Sequence, residues 1–243
     1  MQENIEKVFS DQQEKLRKWV EIPQDGRGYF PKPGDKILAL DIQYVGDFAH
    51  IGGDLWEWQG GHIDTFAAAV KSSFPYVPGY FCFREGPPLL SFYEKLRDQY
   101  QIFPDLIIID GHGTAHPRKL GVACWMGIAT KVPTIGCAKD TLVHYEGALE
   151  EKKAARLPVF VDKDLVGYVL RTQDGIKPLF VSPGHLVSLE TSALVILGLP
   201  GEYRIPDILR NADQAARHHA KSSEYPYQDL QTIPEVMPFW ENP

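Results

Sequence analysis

The stretch Asp105-Leu106-Ile107-Ile108-Ile109-Asp110-Gly111-His112-Gly113 decides how this chain is read. Four consecutive apolar residues, three of them β-branched, predict a short strand buried on both faces. An acid and two glycines follow at once. A carboxylate at the end of a buried strand is rigidly held and partly shielded from water. Gly111 and Gly113 remove side-chain bulk beside it, so a ligand can approach the backbone. An α/β enzyme often presents a catalytic group in this way. Alone, the same letters also fit a turn with a solvated Asp, because Asp-Gly is common at turns.

Working outward, Lys36-Ile37-Leu38-Ala39-Leu40 predicts a strand ending at Asp41. Thr134-Ile135-Gly136-Cys137-Ala138 predicts another buried strand, with Lys139 at its end. Residues 48–71 suit two antiparallel strands, with Gly52-Gly53 and Gly60-Gly61 as turns around Asp54-Leu55-Trp56-Glu57-Trp58. Residues 158–181 suit a further hairpin and its following strand. Apolar spacing predicts helices over 3–20, 89–100, 118–130, 187–197 and near 207–221. Residues 23–35 read as a linker, 74–78 as a rigid aromatic–proline loop and 222–243 as an irregular tail. Antiparallel strands followed by strand–helix alternation predict one α/β domain, a mixed sheet with helices on both faces.

Composition narrows the function. The 243 residues can bury a sizeable core without staples. No apolar run approaches the roughly 18 residues that span a bilayer, and the charged N-terminus lacks a signal-peptide core. The expectation is a cytoplasmic protein with no membrane partner. Cys82, Cys124 and Cys137 form no CxxC pair, which points to reduced thiols rather than disulfides or zinc. His218 and His219 would diverge by about 100° on a helix, so one metal ion would not readily take both. A net charge of −7 argues against broad electrostatic binding of nucleic acid. It leaves room for a nuclease, whose acidic site gathers cations that then supply the positive field.

Asp41, Asp110 and Glu85 stand at strand or helix tips in this reading, with Glu85 placed just before the helix at 89–100. If the fold brings those tips together, the acids form a hard oxygen site suited to Mg²⁺ or Mn²⁺. Such a site activates water and stabilises the leaving oxygen of a phosphodiester. Lys139 could then hold a phosphate as a point charge. Each acid also has a plain reading as a turn cap or surface group, and Lys139 as a solvated cation beside Asp140. Pro75 and Pro78 flank Tyr76-Val77, so a ring at Tyr76 can be presented at small ordering cost. A core tyrosine between structural prolines fits the same residues.

Four segments carry a resemblance to a known family: FPYVPGYFCFREGP at 74–87, PDLIIIDGHGTAHPRKLGVA at 104–123, VPTIGCAK at 132–139 and PLFVSPGHLVSLETS at 178–192. In order and spacing they resemble endonuclease V, the deoxyinosine nuclease of the ribonuclease H-like fold, from about Lys36 to Ala216. The resemblance implies an endonuclease V-like catalytic domain at 36–221, preceded by a helix and linker at 1–35 and followed by the tail. Asp41, Glu85 and Asp110 then match the family's metal-binding acids, and Lys139 its active-site lysine. Asp213 falls where members place a His or Asp near the metal. Pro75, Tyr76, Val77 and Pro78 match the wedge that enters the duplex where the damaged base is displaced. Gly79, Phe81, Gly111, Gly113, His116, Gly121, Ala138 and Leu142, with Tyr76, match the region that binds the extruded hypoxanthine. His185 matches the family's PGH motif and reads as structural.

The implied activity is Mg²⁺-dependent, with Mn²⁺ able to substitute. It is hydrolysis of the second phosphodiester 3′ to deoxyinosine in DNA, with inosine in RNA as the other candidate substrate, by a monomer. The chain departs from the family at Ile42-Gln43-Tyr44, at Ile208-Leu209-Arg210 and through 52–64, which carries Trp56 and Trp58. Three other readings stand beside this one. They are a catalytically silent reader of inosine, a ribonuclease H-like nuclease of other specificity, and an esterase with a Ser or Cys nucleophile. The silent reader is disfavoured by retention of Asp41, Glu85, Asp110 and Lys139. The esterase lacks a GxSxG motif.

Overall fold

A computed structural model describes residues 2–72, 74, 77–221 and 228–229. Pro75 and Tyr76 of the expected wedge, and nearly all of the expected tail, lie outside these residues. The elements run α1 (Gln2–Arg17), β1 (Lys36–Val45), β2 (Phe48–Glu57), β3 (Gly61–Lys71), α2 (Phe81–Tyr100), β4 (Leu106–Ile109), α3 (Val122–Thr130), β5 (Thr134–Ala138), β6 (Arg156–Val161), β7 (Asp164–Leu170), β8 (Leu179–His185), α4 (Leu189–Gly198), α5 (Asp207–Lys221) and β9 (Gln228–Asp229). The strands form a single mixed sheet in the order β6-β7-β8-β5-β4-β1-β2-β3-β9. β4 lies between β1 and β5 and is parallel to both. It is fully buried, as its four apolar residues require.

Side-chain alternation divides the core into two layers. Leu38, Leu40, Ile107 and Ile109 face a layer made with α1, α2 and α3. Ile37, Ala39, Leu106 and Ile108 face the opposite layer, made with α4 and α5. The next residues in that second series are Asp41 and Asp110. The parity that buries Ala39 and Ile108 therefore aims both acids toward α5. A third, smaller cluster under β6 and β7 contains Ala138. The N-terminal helix is tied to the sheet and its helices: Leu16 packs in the first layer and Gln13 is fully buried.

Four local expectations change. β1 does not stop at Asp41 but continues to Val45, because antiparallel β2 pairs with it along its whole length. Only its parallel partner β4 ends there, and the Asp110 N–H closes that end on Leu40 O at 3.0 Å. Gly52-Gly53 is no turn; it lies mid-strand in β2. A Cβ on Gly52 would stand 2.0 Å from Ala212 O of α5, and one on Gly53 would stand 2.6 Å from the Phe92 ring of α2. These glycines let both helix layers approach the sheet closely. α2 starts at Phe81, so Glu85 lies inside a helix that also holds Pro87 and Pro88. Pro88 has no N–H for Arg84 O, and the Tyr44 hydroxyl donates to that carbonyl instead, at 3.0 Å. α3 starts only at Val122, since 116–119 form a turn in which the Lys119 N–H bonds His116 O.

Candidate active site

β4 and β5 end beside the middle of parallel β1, and the chemistry of the three strands collects there. Asp41, Asp110 and Asp213 each present an oxygen, and these atoms all lie within 4.8 Å of one another. Asp41 comes from mid-β1, Asp110 from the residue after β4, and Asp213 from α5. Lys139, after β5, places Nζ 2.5 Å from Asp110 Oδ2 and 3.4 Å from Asp213 Oδ1. Arg204 donates to Lys139 O and to Pro178 O, fixing the backbone that carries the lysine. Arg217, one turn along α5, bonds Asp213 Oδ2 at 2.8 Å.

Crowding of acids sets their protonation. Burial pushes the Asp41 carboxyl up to about 8, with further contributions from the Asp110 charge and from the Asp213 carboxylate. Burial likewise raises Glu85 to about 8, again with help from Asp110. Asp110 is raised by burial although Lys139 works against it. Burial opposes charge at Asp213 too, but Asp41, Lys139 and Arg217 outweigh it and hold this carboxylate below its ordinary range. Burial would lower Lys139, yet the surrounding carboxylates keep its ammonium above the usual range.

These residues fit a divalent cation. The donors are hard carboxylate oxygens. Asp41 Oδ1 accepts from the Ile42 N–H at 2.7 Å, while Asp41 Oδ2 is buried without a hydrogen-bond partner among the described residues. Such an orphaned oxygen is costly unless something positive meets it. Deprotonated Asp41 becomes favourable once a cation sits among the three acids.

Beside the cluster is a cavity of about 180 Å³, lined by Phe81, Glu85, Asp110, Gly111, His116 and Leu142 among others. A cavity of roughly 150 Å³ holds benzene, so this one has room for a planar ring system. Asp110 thus belongs to both the carboxylate cluster and the cavity wall. Glu85 stands on the cavity side, outside the three-acid group. Of the other residues expected around an extruded base, Gly121 also lines the cavity. A Cβ on Gly121 would meet His112 O at 2.1 Å, so glycine there is demanded by backbone packing.

Gly79, Gly113 and Ala138 do not line the cavity. Gly79 O is held by His116 Nε2 at 3.2 Å and by Arg118 Nη2. The Gly113 N–H donates to Ser182 Oγ at 2.9 Å. Ala138 packs in the third cluster. Val77 packs partly buried against the first layer, and Pro78 sits in the turn before α2.

Some contributors escaped the sequence reading. His112 lines the cavity and its Nε2 bonds Asp140 O at 3.0 Å. Arg204 and Arg217 hold Lys139 and Asp213. No motif flags Arg204, because its role depends on a segment 65 residues away, whereas Arg217 meets Asp213 as an i,i+4 pair on α5. His185 sits at the other end of β5 from Lys139, paired with Thr134, and accepts from the Glu21 N–H through Nδ1. That agrees with its reading as structural. The three cysteines are buried, and burial pushes the Cys82 and Cys124 thiols up to about 12. Neither is a plausible nucleophile. Among the described residues no helix is long and apolar enough to cross a membrane.

Comparison with known proteins gives the chain's relatives. The Endonuclease V family model matches residues 31–214. Endonuclease V of Dictyoglomus thermophilum is 46% identical over 215 residues, covering 83% of this chain and 92% of that protein. The crystal structure of endonuclease V from Streptomyces avermitilis superposes with a TM-score of 0.78 at 34% identity, covering 89% of this chain and 93% of the other. Ciona intestinalis endonuclease V, crystallised with a 24mer DNA containing an inosine followed by a ribo-adenosine, gives 0.78 at 25% identity, covering 91% and 100%.

Proposed function

This chain belongs to the endonuclease V family, and on that premise we propose that it is the inosine-directed endonuclease of a DNA-repair process, acting as a cytoplasmic monomer. The observation that carries the reading is the junction at Asp110. One carboxylate borders both a cluster suited to a cation and a cavity sized for a base. An enzyme that cuts beside a displaced base needs those two places to adjoin.

Asp41, Asp110 and Asp213, with Glu85 on the cavity side, would hold Mg²⁺, and Mn²⁺ would serve in its place. The ion, when bound, would lower the pKa of water and stabilise charge on the leaving oxygen. The remaining work falls to the chain. Lys139 offsets negative charge where the phosphate meets the acids. Phe81 and Leu142 give the base apolar contacts, and the backbone at Gly111 faces its polar edge. His116, through Gly79, holds the loop that leads into α2. Tyr76 fills the gap left in the stack. In the overall reaction a water oxygen bonds to phosphorus, the P–O3′ bond breaks, and O3′ takes a proton. The products carry 3′-hydroxyl and 5′-phosphate ends. The bond cut is the second phosphodiester 3′ to the inosine.

End-labelled DNA and RNA, each with one inosine, test this with Mg²⁺ or EDTA present. The expected result is a single Mg²⁺-dependent cut one nucleotide beyond the inosine, absent from adenosine controls. Equal cutting of inosine and adenosine strands would overturn the specificity, and cutting in EDTA would overturn the metal role.

A further inference from the structure

β2 makes three separate contacts along α5, the helix that carries Asp213. At one end Asp54 is fully buried. Its Oδ2 accepts from Trp56 Nε1 at 2.5 Å and from Asn211 Nδ2 at 3.0 Å; its Oδ1 accepts from Thr65 Oγ1 at 2.5 Å. His62 Nε2 lies 3.2 Å from the same Oδ1. In the middle, Gly52 seats the helix backbone at Ala212 and Ala216. At the far end His50 Nδ1 meets His219 Nδ1 at 2.8 Å.

Among the described residues, Asn211 is the one α5 residue that hydrogen-bonds Asp54, and it lies two residues before Asp213. Adjacent α5 residues differ by about 100° in direction. A rotation or slide of α5 that broke the Asn211 bond would therefore carry Asp213 away from Asp41 and Lys139.

We propose that Asp54 is a positioning residue, which through Asn211 fixes α5 on the sheet and so places Asp213 in the carboxylate cluster. The inference rests on the reading of Asp213 as a cation ligand. Partners of metal ligands beyond the direct shell commonly govern affinity by about 10–100-fold.

The test compares two substitutions that each remove one hydrogen bond from Asp54. Asn211→Ala breaks the link to α5, whereas Thr65→Val breaks a link within the sheet. Mn²⁺ affinity is measured on the protein without nucleic acid by calorimetry, and amide exchange of α5 is followed without metal. Asn211→Ala should weaken Mn²⁺ binding about tenfold and speed α5 exchange. Thr65→Val should lower Tm comparably and leave Mn²⁺ affinity near the parent value. In an Asp213→Ala background, Asn211→Ala should add no further loss. If Asp213→Ala weakens Mn²⁺ binding but Asn211→Ala does not, the positioning role is wrong and the ligand reading survives. The positioning role is equally wrong if Thr65→Val weakens binding as much as Asn211→Ala. If Asp213→Ala leaves Mn²⁺ binding unchanged, the ligand reading fails and takes the positioning role with it. Should Asn211→Ala not fold, Asn211→Ser takes its place, since its shorter arm removes the same contact.

Discussion

Asp41 and Asp54 are buried acids on neighbouring strands, and both face α5. Asp41 pairs with Gly52 across the β1–β2 ladder, and Asp54 pairs with Ala39. Their relative exposures are 6% and 0%. Their surroundings differ. Asp54 is met by hydrogen-bond donors on both oxygens. Asp41 has one oxygen bonded to its neighbour's N–H and the other with no partner among the described residues, close to two more carboxylates. A buried acid with every lone pair engaged holds structure together. A buried acid left incomplete among like charges is poised to take a ligand.

Replacing both acids with their amides gives the sharpest contrast. Asp41→Asn should cut cleavage on the order of a thousandfold and leave Tm level or raised, since it removes a crowded carboxyl. Asp54→Asn puts an NH₂ group among donors and should cost about 1–3 kcal/mol of stability, read by denaturant unfolding. Equal Tm losses from the two would erase the distinction.

His116 extends the satisfied class to a base. Its Nε2 bonds Gly79 O and its Nδ1 accepts from the Arg118 N–H, so the neutral ring is fully engaged. Burial, with the nearby Arg118 charge, lowers its pKa from 6.5 to about 4. A group depressed on folding contributes stability that is present above its unfolded pKa and lost as pH falls through the folded one. Stability should therefore decline between pH 6.5 and 4, by up to about 3 kcal/mol from this residue. His116→Gln should flatten that decline, as followed by Tm against pH; an unchanged slope would assign the acid sensitivity elsewhere.

Lys139 belongs with the incomplete site. Lys139→Ala should slow cleavage about a hundredfold while Mn²⁺ still binds, measured by single-turnover kinetics and calorimetry. Loss of Mn²⁺ binding instead would make the lysine an organiser of the acids. The smallest effect concerns recognition away from both acids. Tyr76→Ala should weaken binding to an inosine duplex by about 1–3 kcal/mol, and to an inosine single strand by less, with Ca²⁺ present to suppress cutting. Equal losses would favour a core tyrosine.

Much of the site was legible because its residues directly follow buried strands. Asp110 and Lys139 come straight after apolar runs too short and too β-branched to be anything but strands, and side-chain parity then aims the acid. Glu85 was legible as a residue type but misplaced, because Pro87-Pro88 reads as a helix boundary. In the fold the Tyr44 hydroxyl supplies one missing hydrogen bond, and the helix runs through. Gly52-Gly53 read as a turn for a similar reason. The need for glycine comes from helices packed above and below, and no local pattern reports a neighbour that arrives from residue 212.

The sequence by itself determined the alternating α/β architecture, the buried central strands and the acids and lysine that follow them, because periodicity and residue type are local properties. Tertiary structure alone decided that the Asp213 carboxylate reaches Asp41 and Asp110, that Arg204 braces Lys139, and that Asn211 of α5 bonds Asp54. Those relations span from 65 to 172 residues of chain, and the packing of α5 over Gly52 brings Asp213 and Asn211 within reach of the sheet.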